Sequence, residues 1–400
     1  MNDCRSPLNM FSVTFYDAVC QEGDTMSVQK FSCKLMQHTY LPLFLIFVAG
    51  ILSGCTHWLF PVGDRIEPEV YLIETEDGAQ IALHRFASTE ANNEVGRREP
   101  ILFCHGIMSN RYSFDLVADR SFPRHLASLG YDVWMLELRN SGAAATSSLF
   151  GTSSYEHSMD AYIEHDVRTA IDTVLKKTNS TRLHWVGHSM GSMVLYGYVS
   201  RFGDEKLSSI VSLGGPPQEL FDGNIMMQLG VKIAPLVTGL LNQVPSGSLV
   251  KMNSLGAWPA VVPQMHLIWN YDNVDAETAR LAAAHAVDNV ASGVLEQFRL
   301  AARRGVLTND AETHSYTGGL ERVSVPIFFV SGANDQLAAP ALMRRALSKV
   351  RSDRVQFEVL SRANGYSHDY GHVDMLLGIT AAEEVLPLLV DWFVERENES

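Results

Sequence analysis

A chain of 400 residues with 46% apolar and 19% charged side chains and a mean hydropathy of zero is neither fibrous nor disordered in composition. Its formal charge of -14 disfavours a nucleic-acid-binding surface. The length accommodates one enlarged domain or two ordinary ones, and helical and strand patterns alternate over most of it, which points to the α/β class.

From the N-terminus, the most continuously apolar stretch is Thr39–Leu52, with Lys30 and Lys34 upstream and Ser53-Gly54-Cys55 directly after it. It is shorter than a spanning helix needs and fits the apolar core of a secretory signal. Leu52-Ser53-Gly54-Cys55 resembles a bacterial lipobox. That resemblance implies a diacylated Cys55 as the first mature residue; a plain cleaved signal and an uncleaved anchor helix are the alternatives. Thr56 stands where inner-membrane lipoproteins carry aspartate, so the same resemblance implies the outer membrane, with inner-membrane anchoring as the alternative. More than 30 residues precede the apolar run, and Met26 is the expected start of a leader of ordinary size. Cys4, Cys20 and Cys33 then lie before the mature chain, which keeps Cys55 and Cys104. No disulfide framework is expected, and Cys104 in ILFCHG reads as a buried strand cysteine rather than a nucleophile.

Residues 56–68 read as a tether. Glu69–Thr75 and Ala79–Phe86 alternate on either side of Asp77-Gly78, a hairpin signal, and Ser88–Pro100 is a polar loop. Pro100–Cys104 is a buried-strand pattern that runs into His105-Gly106-Ile107. Gly106 lets the backbone bend closely round a ligand, so that the N–H of Ile107 can face a developing oxyanion; His105 is expected to be structural rather than a proton carrier. Phe122–Leu129 reads as a helix and Tyr131–Glu137 as the next strand. In the turn that follows, Arg139 either pairs with a carboxylate or sits in a solvated loop. Ser158–Lys177 is amphipathic, with Tyr162, Val167, Ile171, Val174 and Leu175 facing the sheet and Asp160, Glu164, Asp166 and Asp172 expected on a solvated face or in the first turn.

Leu183–Ser192, LHWVGHSMGS, is an apolar run that ends in a serine flanked by glycines and leads into a helical pattern. Gly187 and Gly191 clear the space a tight strand-to-helix turn requires, which lifts Ser189 Oγ to a helix N-terminus. Ile210–Leu213 is a further strand. Residues 216–322 then carry few strand signals and are expected to form a mainly helical cap. In it Met226, Met227, Leu229, Leu236, Leu240 and Met265 either line an acyl channel or form ordinary cap core. Val325–Ser331 resumes the buried-strand pattern and is followed by Asp335. Ala341–Lys349 is a helix and Val355–Leu360 the last strand, after which a loop carries His368 and His372. Glu384–Arg396 is a terminal helix, with Trp392 and Phe393 packed on the sheet.

A serine is a weak nucleophile without a base within about 3 Å, and that base needs an acceptor to fix its tautomer. Ser189, Asp335 and a histidine after the last strand, His372 or His368, supply these parts in the order serine, acid, histidine. With His105-Gly106, GHSMG, SGANDQLAAP and YGHVDMLLG in this order, residues 69–398 resemble an α/β-hydrolase, closest in style to the acid-lipase-like and polyester-synthase-like branches. The resemblance selects His372 as base and Asp335 as its partner. It implies a mostly parallel sheet flanked by helices, with a core of 69–215 and 323–400, a cap insertion at 216–322 and a leader at 1–55. It further implies ester hydrolysis through an acyl-enzyme, with the N–H groups of Met190 and Ile107 stabilising the oxyanion and His105, Gly106, Gly187 and Gly191 shaping the loops. The polyester-synthase branch uses cysteine where Ser189 stands, which disfavours polymerisation; the acid lipases carry a structural disulfide that this chain lacks. The expected substrate is a lipid or another apolar ester. Acyl transfer to an alcohol and a non-catalytic lipid-binding envelope protein are the alternatives. No metal set, P-loop or dinucleotide fingerprint is visible, and no cofactor or nucleic acid is expected; the membrane is the expected partner, through an N-terminal anchor.

Overall fold

The structure, a computed structural model, describes residues 59–63, 65–88, 98–145, 157–216, 243–244, 246–247, 250–251 and 268–399. The chain divides into Met1–Leu52 and Ser53–Ser400, and every described residue belongs to the second unit. Cys55 and the cap residues Met226, Met227, Leu229, Leu236, Leu240 and Met265 lie outside the described residues.

In chain order the strands are β1 (Glu69–Glu74), β2 (Gln80–Phe86), β3 (Ile101–Cys104), β4 (Val133–Glu137), β5 (Leu183–His188), β6 (Leu207–Leu213), β7 (Gln243–Val244), β8 (Val290–Ala291), β9 (Ile327–Gly332) and β10 (Val355–Leu360). Eight of them form one sheet of order β1-β2-β4-β3-β5-β6-β9-β10, and β7 pairs with β8. Strand β2 runs antiparallel to both β1 and β4, whereas the remaining pairs of the large sheet are parallel. Parallel strands need crossovers that lay helices over both faces; β3, β4, β5 and β9 are accordingly buried along their whole length.

Alternate side chains of the central strands feed two cores. Leu102, Cys104, Trp185 and Phe329 face Ile163, Ile171 and Val194 on one side. Ile101, Phe103, Val186 and Phe328 face Leu126, Leu389 and Phe393 on the other. Trp392, on the helix Leu386–Glu399, stacks on Phe328 at 5.4 Å and donates its indole N–H to Ser209 Oγ at 3.0 Å. Because the parallel strands share a direction, their C-terminal ends lie on one edge of the sheet. Strand order reverses about β3, with β4 on one side and β5 on the other, the kind of switch point at which open α/β sheets bind their ligands.

Several charged residues depart from expectation. The amphipathic segment is helical at Met159–Ala161, makes a π turn over Tyr162–Val167 and continues as an α-helix over Arg168–Thr178. The wider i→i+5 turn shifts the register that a 3.6-residue period assigns. Asp166 is therefore fully buried rather than solvated. Its Oδ1 accepts from Arg139 Nε at 2.9 Å and Nη2 at 2.7 Å, and its Oδ2 from the Arg139 backbone N–H at 3.0 Å. The same guanidinium holds both oxygens of Asp77, at 2.6 and 3.0 Å, so Arg139 pairs with carboxylates and is not a solvated loop residue. Asp160, also expected to be solvated, accepts from Gln297 Nε2, the Asp310 N–H and the Tyr316 hydroxyl.

Within residues 216–322, the described part contains helices Ala276–His285 and Ser292–Arg304. Val294, Ala301, Leu307, Tyr316 and Leu320 join the core on one face of the sheet, so these described residues pack into the main core. The described residues before β1 are docked rather than loose. Arg65 Nη1 donates to the Asp115 carbonyl at 2.6 Å, its guanidinium lies 5.2 Å from the Tyr112 ring, and Glu67 pairs with Arg111 at 2.6 Å.

Removing one member of a buried ion pair leaves the other charge desolvated, at a cost of about 3–5 kcal/mol. Asp166→Ala should therefore lower the urea midpoint by a corresponding amount; an unchanged midpoint would show that Asp77 alone satisfies Arg139.

Candidate active site

Strand β5 ends at His188, and the helix Met190–Phe202 starts two residues later. Ser189, the single residue between them, has φ 52° and ψ -120°. A non-glycine residue in such a conformation costs about 1–3 kcal/mol and persists only where its surroundings over-determine it. Here the Ser189 N–H donates to the Leu213 carbonyl at 3.0 Å, and the Ser189 carbonyl accepts from the N–H groups of Ser192 and Met193 at 3.0 and 3.3 Å. A Cβ at Gly187 would stand 2.6 Å from the Ser192 nitrogen, and one at Gly191 would run into the Cys104 carbonyl oxygen. The helix can approach β3 and β5 this closely only if both positions are glycine.

The loop after β3 lies beside the nucleophile: a Cβ at Gly106 would be 3.2 Å from Ser189 Cβ. His105 is buried; its Nδ1–H donates to the Gly106 carbonyl at 2.8 Å and its Nε2 accepts from the Leu138 N–H at 3.2 Å. Both ring nitrogens are used in holding the loop, and burial keeps the ring's pKa below the usual histidine range. Further along, Glu137 Oε1 accepts from the Arg111 N–H at 3.1 Å, while Oε2 accepts from the Ala143 N–H and from His84 Nε2, both at 2.7 Å. Burial alone would raise the Glu137 pKa, but the His84 hydrogen bond and charge and the two N–H groups hold it below the ordinary range. Cys104 is buried, and burial pushes its thiol pKa up, the opposite of what a nucleophilic thiolate needs.

Asp335 follows β9 and His372 follows β10. His372 Nδ1 donates to Asp335 Oδ2 at 2.8 Å, while Asp335 Oδ1 accepts from the N–H groups of Leu337 and Ala338, both at 2.8 Å. Both groups are almost wholly buried. With Nδ1–H committed to the carboxylate, Nε2 is the free proton acceptor. It is thus His372, not His368, that holds the Asp335 carboxylate. Asp374 accepts from the N–H groups of Asn270 and Gly371, and Asp369 from that of Arg362, as local partners of the loop.

His188, which the sequence offers only as part of the serine motif and, with His184, as a histidine pair lacking a third metal ligand, links the two halves of the site. Its Nε2 donates to the His372 carbonyl at 2.9 Å, and the two rings lie 4.8 Å apart. The residue before Ser189 thereby grips the backbone of the histidine. Among the described residues Ser189 Oγ makes no hydrogen bond to His372; such bonds are often long at rest and tighten around substrate. Nor do three histidine, cysteine, aspartate or glutamate side chains gather as a metal site among those residues.

Residues 99–232 match the family described as alpha/beta hydrolase fold. Over 383 residues the chain is 23% identical to Lipase 3 of Drosophila melanogaster, a match that covers 86% of this chain and 95% of that one. It is 28% identical over 190 residues to human lysosomal acid lipase/cholesteryl ester hydrolase, covering 46% of this chain and 45% of that one. A soluble variant of monoglyceride lipase from Saccharomyces cerevisiae superposes with a TM-score of 0.58 at 15% identity, over 83% and 97% of the two chains. Sheet order, elbow and matches together give the chain the α/β-hydrolase fold. Within that class it is a carboxylic ester hydrolase of the lipase and esterase kind.

The buried histidines make stability pH-dependent. Burial, with Arg396 nearby, lowers the pKa of His184 to about 4; burial and the neighbouring His372 ring lower that of His188 to about 3. Below about pH 6.5 the unfolded chain binds protons that these folded groups refuse, so each destabilises the fold by about 1.4 kcal/mol per pH unit as pH falls, until its folded pKa is reached. Urea midpoints should drop between pH 7 and pH 4.5, and His184→Gln should flatten part of that slope. Equal slopes for the two proteins would show that His184 contributes nothing.

Proposed function

We propose that Ser189, His372 and Asp335 act as nucleophile, base and orienting acid in the hydrolysis of lipid or other apolar acyl esters. The observation that carries this reading is the buried 2.8 Å bond from His372 Nδ1 to Asp335 Oδ2, on the sheet edge where Ser189 stands at the β5 elbow. Ser189 Oγ attacks the ester carbonyl as His372 Nε2 takes its proton, and the N–H groups of Met190 and Ile107 receive the charge on the carbonyl oxygen. The imidazolium then protonates the leaving alcohol. Water, deprotonated by the same nitrogen, attacks the acyl-serine, and the collapsing intermediate releases the carboxylic acid and restores Ser189. The apolar substrate class is supported by the lipase relatives, of which the human acid lipase is named as a cholesteryl ester hydrolase.

Treatment of the full chain in detergent with a fluorophosphonate should add one adduct, located on Ser189 by peptide mass spectrometry. Ser189→Ala and His372→Ala should each lower kcat by at least about 10⁴-fold and Asp335→Asn by about 10⁴-fold, with the proteins still folded. Activity on p-nitrophenyl esters should rise from acetate to medium or long acyl chains. An unlabelled but folded protein sinks the catalytic reading; a maximum at acetate removes its lipid part.

The leader supports a companion proposal, that Cys55 carries the lipid that fixes the enzyme to a bacterial envelope. Its basis is the apolar run Thr39–Leu52 followed by Ser53-Gly54-Cys55. Radiolabelled palmitate should enter the wild-type chain expressed in a Gram-negative host and fail to enter Cys55→Ser. Equal labelling of both, or of neither, excludes lipidation at this cysteine.

A further inference from the structure

The segment His285–Asp288, just before β8, runs along the loop that follows β3. Asn110 Nδ2 donates to the His285 carbonyl at 2.8 Å and Ser109 Oγ to the Ala286 carbonyl at 3.1 Å. Ser109 and Val287 form an antiparallel bridge, and the Asp288 N–H donates to the Met108 carbonyl at 2.9 Å. The segment is thus hydrogen-bonded to Met108, Ser109 and Asn110 in turn.

Asp288 is the hub of this strap. Its Oδ2 accepts from Asn110 Nδ2 at 2.9 Å and from the Gly142 N–H at 2.7 Å. Its Oδ1 lies 3.5 Å from Lys251 Nζ, and its carbonyl accepts from Ser246 Oγ at 2.9 Å. One residue therefore joins the loop after β3, the turn after β4 and two residues of the 216–322 insertion. A second observation lies in the loop itself. Met108 has φ 57°, a left-handed conformation that methionine keeps only under outside constraint, and the Asp288 N–H on its carbonyl is such a constraint. Met108 is bonded directly to Ile107, so a rotation at Met108 turns the peptide that joins them and, through the Ile107 Cα, shifts the Ile107 N–H.

We propose that Asp288 is a positioning residue for the oxyanion loop: by fixing Met108 and Asn110 it aims the Ile107 N–H at the oxygen that gains charge during ester hydrolysis. The proposal rests on the reading of Ser189 as the nucleophile. It requires an acceptor oxygen at residue 288, not a negative charge, because both Oδ2 partners are neutral N–H donors. It also makes the contribution specific to the transition state, since the ground-state carbonyl gains little from a donor that an oxyanion needs.

The test compares wild type, Asp288→Ala and Asp288→Asn, each first checked for fluorophosphonate labelling at Ser189. Asp288→Ala is expected to lower kcat by about 10- to 100-fold with KM within about twofold. It should weaken a trifluoromethyl ketone, which forms an oxyanion on Ser189, by the same factor. Asp288→Asn keeps an oxygen for Asn110 and Gly142 and should recover most of that loss. A merely structural role would lower the melting temperature while leaving the ketone-to-substrate affinity ratio unchanged, and that result overturns the proposal. So does a kcat for Asp288→Ala within twofold of wild type, or an Asp288→Asn variant as impaired as the alanine. If wild type itself is not labelled, the hydrolase reading has failed and the proposal falls with it; labelled wild type with an unaltered Asp288→Ala rejects the proposal alone.

Discussion

The contact on which the site depends is the close approach of the helix Met190–Phe202 to β3 and β5. Gly191 lies against the Cys104 carbonyl and Gly187 against the backbone of Ser192, so strand and helix meet main chain to main chain. That approach leaves a single residue to reverse the chain, forces Ser189 to positive φ, and brings the loop after β3 alongside it. A methyl group at either glycine would push the helix out, and the nucleophile, its first-turn N–H groups and the neighbouring loop would separate together. Close packing transmits such displacements because the interior has little free volume to absorb them.

Around this contact, buried charge is used as framing. Arg139 ties the hairpin residue Asp77 to Asp166 of the π turn, Glu137 ties His84 to Arg111 and Ala143, and Asp335 is held by two backbone N–H groups as well as by His372. Glu137 and Asp335 each present two oxygens that accept from different segments, so one side chain fixes the relative position of several loops; in the third case it is the guanidinium of Arg139 that spans two carboxylates. Such groups are costly to bury unless every lone pair finds a donor, and donors brought from several segments meet that demand only in the assembled fold. His188 works on the same plan with a neutral ring, joining the serine's strand to the backbone of the histidine loop.

The parts legible in the sequence are those whose cause is local. The glycines two residues either side of Ser189 announce the elbow, buried strands announce themselves by continuous apolar runs, and Asp335 follows such a run closely, whereas His372 stands further out on the loop after the last strand. Choosing His372 over His368 needed the family resemblance, since both stand on the same loop. Arg139 could not be paired from sequence because its carboxylates lie 27 and 62 residues away, and Asp166 was assigned to solvent because a helical period cannot anticipate a π turn. Asp288 is 178 residues from Asn110, in a stretch whose sequence reads only as part of a mainly helical cap; only the closed fold brings it to the loop. His188 had a signal, its place directly before the nucleophile, but nothing in the chain indicated that its partner would be a carbonyl.

Positive φ at Ser189 carries an evolutionary consequence. Residue 189 occupies a backbone conformation that glycine would hold with less strain, yet glycine has no hydroxyl. Selection for a more stable fold and selection for a nucleophile thus pull in opposite directions at this one position. The many hydrogen bonds and buried contacts around the elbow supply the margin within which serine can be kept there. A lineage that lost the need for catalysis would be free to relax this residue first, well before the sheet or its helices showed any change.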